Sequence, residues 1–385
     1  MVPPERTVPD RCPGVLAVHE AADGGLARVR LPGGVLSASQ LRVLAAAAVE
    51  LGDGHLELTS RANVQIRALQ PGAPVELSER LYAAGLLPSI THERVRNILA
   101  SPLSGLDQYS LYDVLPLAGE LDRLLCATPG LAALPGRFLF ALDDGRGDLE
   151  SSKPDVAVRL VDRGRGELLL AGVATGVQVA VERVAEVMVA AAEAFLAVRG
   201  EQGSEAWRLG ELDDGPLLVL KRLGLDGSPA AVPVGVRRGP AAAGVFEGGV
   251  VATVPLGVLG AEQAEALAES GDEVRVTPWR SVVVVGNGPV QRLTAVGLVL
   301  EKASPWNGVT SCAGRPGCGK ALGDVRGDAR RVVPGWSGGG RVHWSGCERR
   351  CGKPGGEFLD VVALGGGGYA VDGVAMGVDE VRAHR

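Results

Sequence analysis

The sequence predicts an α+β protein made by tandem duplication of one unit, a small strand–helix–strand domain followed by a larger α/β domain. Three observations carry this. The block GVLSASQLRVLAAAA with HLELTSRANVQIRAL returns much later as GVLGAEQAEALAES with EVRVTPWRSVVVVGN. Gly34, Val35 and Leu36 then fall on Gly257, Val258 and Leu259, Gln40 on Gln263, Thr59 on Thr277, and Arg61 on Arg280. Further on, GRFLFALDDGRGDLESSKPDVAVRL aligns without gaps to GRVHWSGCERRCGKPGGEFLDVVAL, placing Arg137 on Arg341 and Leu160 on Leu364. Finally, 385 residues with 46 % apolar side chains suffice for several packed cores.

The elements follow in order. ARVRLP alternates as a strand, and Ser37 is a helix N-cap. HLELTSRANVQIRAL reads as one alternating strand, with Arg61, Asn63, Gln65 and Arg67 on one face and Leu58, Val64 and Ile66 on the other. RNILASPLSG in the first copy stands where VTSCAGRPGCG stands in the second. Each copy then makes a hairpin, VAVRLVDRGRGELLLAG and LDVVALGGGGYAVDG. The expected division is 1–80, 81–230, 231–295 and 296–385, small and large domains alternating. A pseudo-twofold pairing of the copies is expected to leave a pocket between them.

A net charge of −6 argues against a nucleic-acid partner. The basic residues cluster locally, as Arg61 with Arg67, Arg94 with Arg96, and Arg326 with Arg330 and Arg331, which suits an anionic small ligand. MVPPERTVPDRCPG is not a secretory leader, and the apolar stretch AEVMVAAAEAFLAV is too short to span a bilayer. A cytoplasmic protein without a membrane partner is expected.

Four cysteines carry the chemistry. Cys312 and Cys318 are spaced C-x5-C, and Cys347 and Cys351 C-x3-C, all in the second copy. Four thiolates on two turns can hold one [4Fe–4S] cluster, and Gly314 and Gly317 let the chain wrap closely around it. ALGDVRGDAR reads as a helix whose N-terminus aims N–H groups at the cluster and favours its reduced state. The competing reading is structural zinc, which prefers C-x2–4-C knuckles. Cys12 and Cys126 read as structural, and His343 as a weaker candidate beside the cluster. Asp143, Asp144 and Asp148 read as a polar turn marked by Gly145 and Gly147. No G-x-G-x-x-G follows a strand, so a nicotinamide would act through a separate reductase.

The cysteine spacing, TSRANVQIR, VRNILASPLSG and LPGRFLFALDD resemble, in order, the motifs of the nitrite and sulfite reductase family, over almost the whole chain. That likeness implies a ferredoxin-like half domain and an α/β domain, each twice, with the [4Fe–4S] cluster on Cys312, Cys318, Cys347 and Cys351. It implies tetrapyrrole contacts at Arg61, Asn63, Gln65, Arg67, Arg96, Asn97 and Arg137. Within the family the chain is most similar to the precorrin-3B synthase branch of aerobic cobalamin biosynthesis, which hydroxylates precorrin-3A with O2 and closes a γ-lactone. The resemblance further implies a ferredoxin or NAD(P)H reductase as electron donor. It also implies a mononuclear non-haem iron whose ligands the sequence leaves unassigned. The alternative is a sirohaem-dependent sulfite or nitrite reductase. That branch carries two lysines where Arg137 and Leu139 stand here, which weakens it.

Overall fold

The computed structural model describes residues 10, 12–227, 238–286, 288–336 and 340–382. The first small domain holds β1 (His19–Ala21), β2 (Gly24–Val29), β3 (Val35–Ser37), α1 (Ala38–Leu51), β4 (His55–Leu58), β5 (Val64–Leu69) and α2 (Ala73–Ala83). The first large one holds β6 (Ile98–Ala100), α3 (Leu115–Ala127), β7 (Phe140–Asp143), β8 (Val156–Leu160), β9 (Arg165–Leu170), β10 (Val173–Ala180), α4 (Val184–Glu201) and α5 (Gly215–Leu223). The second small domain repeats the first as β11 (Gly244–Phe246), β12 (Gly249–Thr253), β13 (Val258–Gly260), α6 (Ala261–Ser270), β14 (Glu273–Val276), β15 (Ser281–Val285) and α7 (Val290–Ala295). The last holds β16 (Val309–Ser311), α8 (Val325–Val332), β17 (Val342–Ser345), β18 (Leu359–Gly365), β19 (Gly368–Val371), β20 (Val374–Gly377) and α9 (Val378–Val381).

Sheet order confirms the duplication. The small domains form β1-β2-β5-β4-β13 and β11-β12-β15-β14-β3, so each lends its short third strand to the other's sheet. The paired glutamines have a physical reason. Gln40 accepts the Ser37 N–H at 3.0 Å and donates to the Ala84 carbonyl, while Ser37 Oγ caps α1. Gln263 does the same between the Gly260 N–H and the Val296 carbonyl. Each glutamine closes a helix start and pins a distant chain end.

The large domains form sheets of one topology, β6-β7-β8-β9-β10 and β16-β17-β18-β19-β20, parallel across the first three strands and antiparallel after. The gapless alignment fails here by one residue. Phe140 falls on Trp344, but its partner Val156 would fall on Asp360, whereas Trp344 pairs with Val361. The second copy therefore has one extra residue in the cysteine-bearing loop.

The chain divides into two compact units. One contains Val29–Val35 and Gly85–Ala241, with a core that sets Phe138 edge-on to Phe140 and tilted against Phe195, at 5.1 and 4.8 Å. The other contains both small domains and the C-terminal domain, whose core sets Trp344 edge-on to Tyr369 at 5.2 Å. Among the described residues no helix is long and apolar enough to cross a membrane.

Candidate metal centre

HLELTSRANVQIRAL is not one strand. β4 ends at Leu58, β5 starts at Val64, and 59–63 form a hairpin turn. Thr59 Oγ1 closes it by accepting the N–H groups of Arg61 and Asn63 at 3.3 and 3.1 Å, and Ala62 takes a left-handed φ of 53°. Arg61 and Asn63 therefore lie in the turn, and only Gln65 and Arg67 share a strand face. The second copy closes the same turn with Thr277, which accepts from Trp279 and Ser281. Arg280, φ 59°, thus occupies the place of Ala62, and the pairing of Arg61 with Arg280 is off by one residue.

Arg67 is committed to carboxylates. Its guanidinium forks onto Asp23 with two 3.0 Å bonds, lies 3.8 Å from Glu57, and reaches the Gly317 carbonyl at 2.5 Å. Glu57, 6 % exposed, accepts from Arg326 Nη1 at 2.5 Å and from Gln65 at 3.1 Å. Burial works against both charges. Arg326 and Arg67 nevertheless hold the Glu57 carboxyl below its usual range, and Glu57 and Asp23 hold Arg67 above its own. The β4–β5 hairpin is thereby bolted to the loop between Cys312 and Cys318 and to α8. Glu57→Gln should cost about 2–4 kcal/mol, because it takes the carboxylate partner from the half-buried Arg326 and one of two anions from the buried Arg67. Urea unfolding measures that loss, and an unchanged midpoint would contradict the bolt.

The cysteines sit where parallel strands end. Cys312 follows β16 and donates its N–H to the Trp344 carbonyl at 2.9 Å; Cys347 follows β17 and Gly346. The Gly346 N–H points at Cys312 Sγ, 3.0 Å away, and the Gly346 carbonyl accepts from Leu322 at 2.7 Å. Gly346 has no room for a side chain, since a Cβ would come within 2.7 Å of Ala321. The two loops are thus zipped through backbone atoms. All four cysteines are free thiols; Cys351 is exposed and the others half-buried. Burial raises the Cys312 thiol, opposed by N–H donation from Gly346 and Gly314, and the Cys351 charge acts on it. Helix α8 begins at Val325, not at Ala321, capped by Asp324 accepting from Gly327 at 3.0 Å.

Among the described residues, no group of three or more His, Cys, Asp or Glu side chains converges on a single ion. A cube meets each thiolate at a separate iron. Four thiols on two zipped loops, one already accepting an N–H, fit the cube.

The first copy fills the equivalent place with charge. Ser101 and Asp107 stand at the positions of Cys312 and Cys318, and the loop 143–149 after β7 is the counterpart of the loop that carries Cys347. Arg146 lies among them, only 5 % exposed. It donates to Asp107 at 3.0 and 3.1 Å, to Asp144 at 2.7 and 2.8 Å, and to the Leu103 carbonyl. Ser101 Oγ donates to Asp148 at 2.8 Å, and Asp143 accepts from Gly145 and Gly147 at 2.9 Å. The expected polar turn is therefore a buried ionic staple. The parallel pairing of β6 with β7 carries the Ser101–Asp107 loop over it and shuts out water.

Burial, reinforced by the Asp143 charge, pushes Asp148 up to about 8. A folded pKa above the unfolded one means stability is full below about pH 4 and is lost as pH rises toward 8. Wild-type protein should lose more melting temperature between pH 5 and pH 8 than Asp148→Asn does. Equal losses would show that Asp148 does not carry a buried proton.

The other expected contacts are placed separately. Arg96, 4 % exposed, forks onto Asp122 with two 2.7 Å bonds and donates to the Leu86 carbonyl. Asn97 bridges the carbonyls of Arg94 and Gly136 at 3.2 and 2.9 Å. Arg137 is exposed and stacks 5.0 Å above the Trp207 ring, while Leu139 is buried. Cys12 is braced by Asp10, and burial pushes the Cys126 thiol up to about 11. His343 is fully buried, with Nδ1 2.8 Å from Thr310 Oγ1, and burial takes it down to about 4.

Two small domains that exchange strands and two large domains of one topology give the chain a fold similar to that of the nitrite and sulfite reductases. Residues 19–84 match the nitrite/sulfite reductase ferredoxin-like half domain. The chain is 28 % identical to a precorrin-3B synthase from a Sinorhizobium species, over 95 % of this chain and 83 % of that one. It is equally identical to a ferredoxin–nitrite reductase of Synechococcus elongatus, over 91 % and 78 %. Its fold matches the NirA protein of Mycobacterium tuberculosis with a TM-score of 0.74 at 22 % identity, covering 93 % of this chain and 79 % of that one. These findings support an oxidoreductase of this group without fixing its reaction.

Proposed function

We propose that the protein is an iron–sulfur oxidoreductase of the precorrin-3B synthase type. It hydroxylates a carboxylate-rich tetrapyrrole with O2, and a peripheral acetate of the substrate closes a γ-lactone. The carrying observation is the pair of backbone-zipped loops bearing Cys312, Cys318, Cys347 and Cys351. When bound on these cysteines, a [4Fe–4S] cluster supplies electrons singly. Inserting one oxygen atom from O2 takes two electrons and two protons and releases the other atom as water. A ferredoxin or reductase is the natural source of those electrons.

In this reading the arginines divide their work. Arg61 in the β4–β5 turn and the exposed Arg137 meet substrate carboxylates, for which a planar guanidinium is suited. Arg67, Arg96 and Asn97 support the chain, since their donors are engaged with Asp23, Asp122 and backbone carbonyls. Asn63 shapes the turn, and Gln65 links Arg28 to Glu57. The buried Leu139 favours this branch over a reductase, because the reductases' second lysine of that segment has no counterpart.

The test is anaerobic purification with iron, sulfide and optical analysis, then incubation with precorrin-3A, a reductant and O2. The product should gain one oxygen atom. An unchanged pigment mass would overturn the synthase reading. Strong sirohaem bands in the purified protein, with sulfite or nitrite turnover, would establish the reductase instead.

A further inference from the structure

The second copy buries a cation in its β14–β15 turn at a position where the first copy has none. Arg280 stands where the first copy has Ala62, and it is 7 % exposed. Its position is built rather than incidental. Gly257 leaves room for its stem, since a Cβ there would lie 2.6 Å from Arg280 Cδ, and the backbone at Arg280 itself is left-handed. Its Nη2 donates to the Gly352 carbonyl at 2.9 Å, directly after Cys351. Its Nη1 is buried and has no hydrogen-bond partner. Carboxylates hold the neighbouring cations: Arg67 by Asp23, Arg326 by Glu57, and Lys353 by Asp360 at 2.6 Å. No ion pair joins Arg280 to a carboxylate among the described residues, although the Glu57 charge acts on it, and the buried His343 lies beside it.

A guanidinium buried without a counter-anion is costly unless something negative arrives. A [4Fe–4S] cube on four thiolates carries net negative charge and becomes more negative on reduction. We propose that Arg280 is the counter-cation of the cluster bound by Cys312, Cys318, Cys347 and Cys351, and that its charge raises the cluster's reduction potential. This rests on the reading that those cysteines hold a cluster. The step concerned is a one-electron reduction in which no bond forms or breaks. Burial, followed by repulsion from Arg326 and opposed by the Glu57 charge, takes Arg280 down to about 10.

The test is a dithionite titration of the intact protein followed by electron paramagnetic resonance. Arg280→Leu and Arg280→Gln should both move the midpoint to more negative potential. At the wild-type midpoint the reduced-to-oxidised ratio should fall about tenfold, which is 59 mV for one electron. Arg280→Lys should recover most of the shift. Glutamine can still donate to the Gly352 carbonyl, so a purely structural role would leave its potential unmoved. If the leucine variant fails to assemble a cluster, the glutamine variant decides. Wild-type protein with stoichiometric iron and sulfide, whose potential is the same in Arg280→Gln, overturns this inference alone. Wild-type protein without iron and sulfide overturns the cofactor reading, and the inference with it.

Discussion

Replacing Arg146 with methionine is expected to destabilise the protein by about 3–5 kcal/mol, the range for breaking a buried ion pair from one side. Asp144 is fully buried and takes its charge-neutralising bonds from Arg146, and Asp107 is only slightly exposed. Methionine fills similar volume but leaves both carboxylates without their counter-charge beside the buried Asp143 and Asp148. Urea unfolding should show the loss. Amide exchange should rise at residues 101–107 and 143–149, which the guanidinium holds together. The double variant Asp144→Asn with Arg146→Met should recover part of the loss, since it removes the stranded charge. Additive losses would mean that the two residues are not coupled.

Replacing Cys347 with serine is expected to abolish the cluster's visible absorption while the fold survives. Serine has nearly the shape of cysteine, but its hydroxyl stays protonated and binds iron poorly. The scaffold around it is held by backbone atoms: Gly346 N–H to Cys312 Sγ, Gly346 carbonyl to Leu322, and Cys347 carbonyl from Arg350 at 3.1 Å. Only the first of these touches a thiol. Far-ultraviolet circular dichroism should therefore be unchanged, with iron and sulfide falling towards the background of a four-cysteine knockout. A retained signal would mean that the ligand set is wrong. Ser345→Ala, on the preceding strand, should keep its cluster.

Arg146 and Cys347 sit on equivalent loops, and the contrast shows two solutions to one problem. Two parallel strand ends each launch a loop, and something must tie those loops together. One copy does so with a guanidinium among carboxylates, the other with backbone bonds through Gly346 beside thiols suited to an inorganic cube. The staple completes itself from the chain's own charges. The cysteine loops, with Arg280 uncompensated beside them, do not.

The sequence by itself determined the duplication, the cysteine set and the α+β class. Those signals are local or periodic: spacing along a loop, a helix cap at Ser37, alternation in a strand. It also carried the clue to the β4–β5 turn, since TPWRS in the second copy contains a proline that no continuous central strand admits. In the first copy the turn has no Gly or Pro, and the Thr59 hydroxyl closes it instead, so alternation reads straight through. The tertiary structure alone decided which charges are spent. Arg67 and Arg96 look like free cations in a motif, but Asp23 and Asp122 lie far away in sequence and reach them only through folding. DDGRGD looks like a solvated turn until the parallel strand pairing buries it. Whether a charge is a ligand contact, a brace or a counter-ion depends on solvent access and on partners distant in sequence, and local pattern encodes neither.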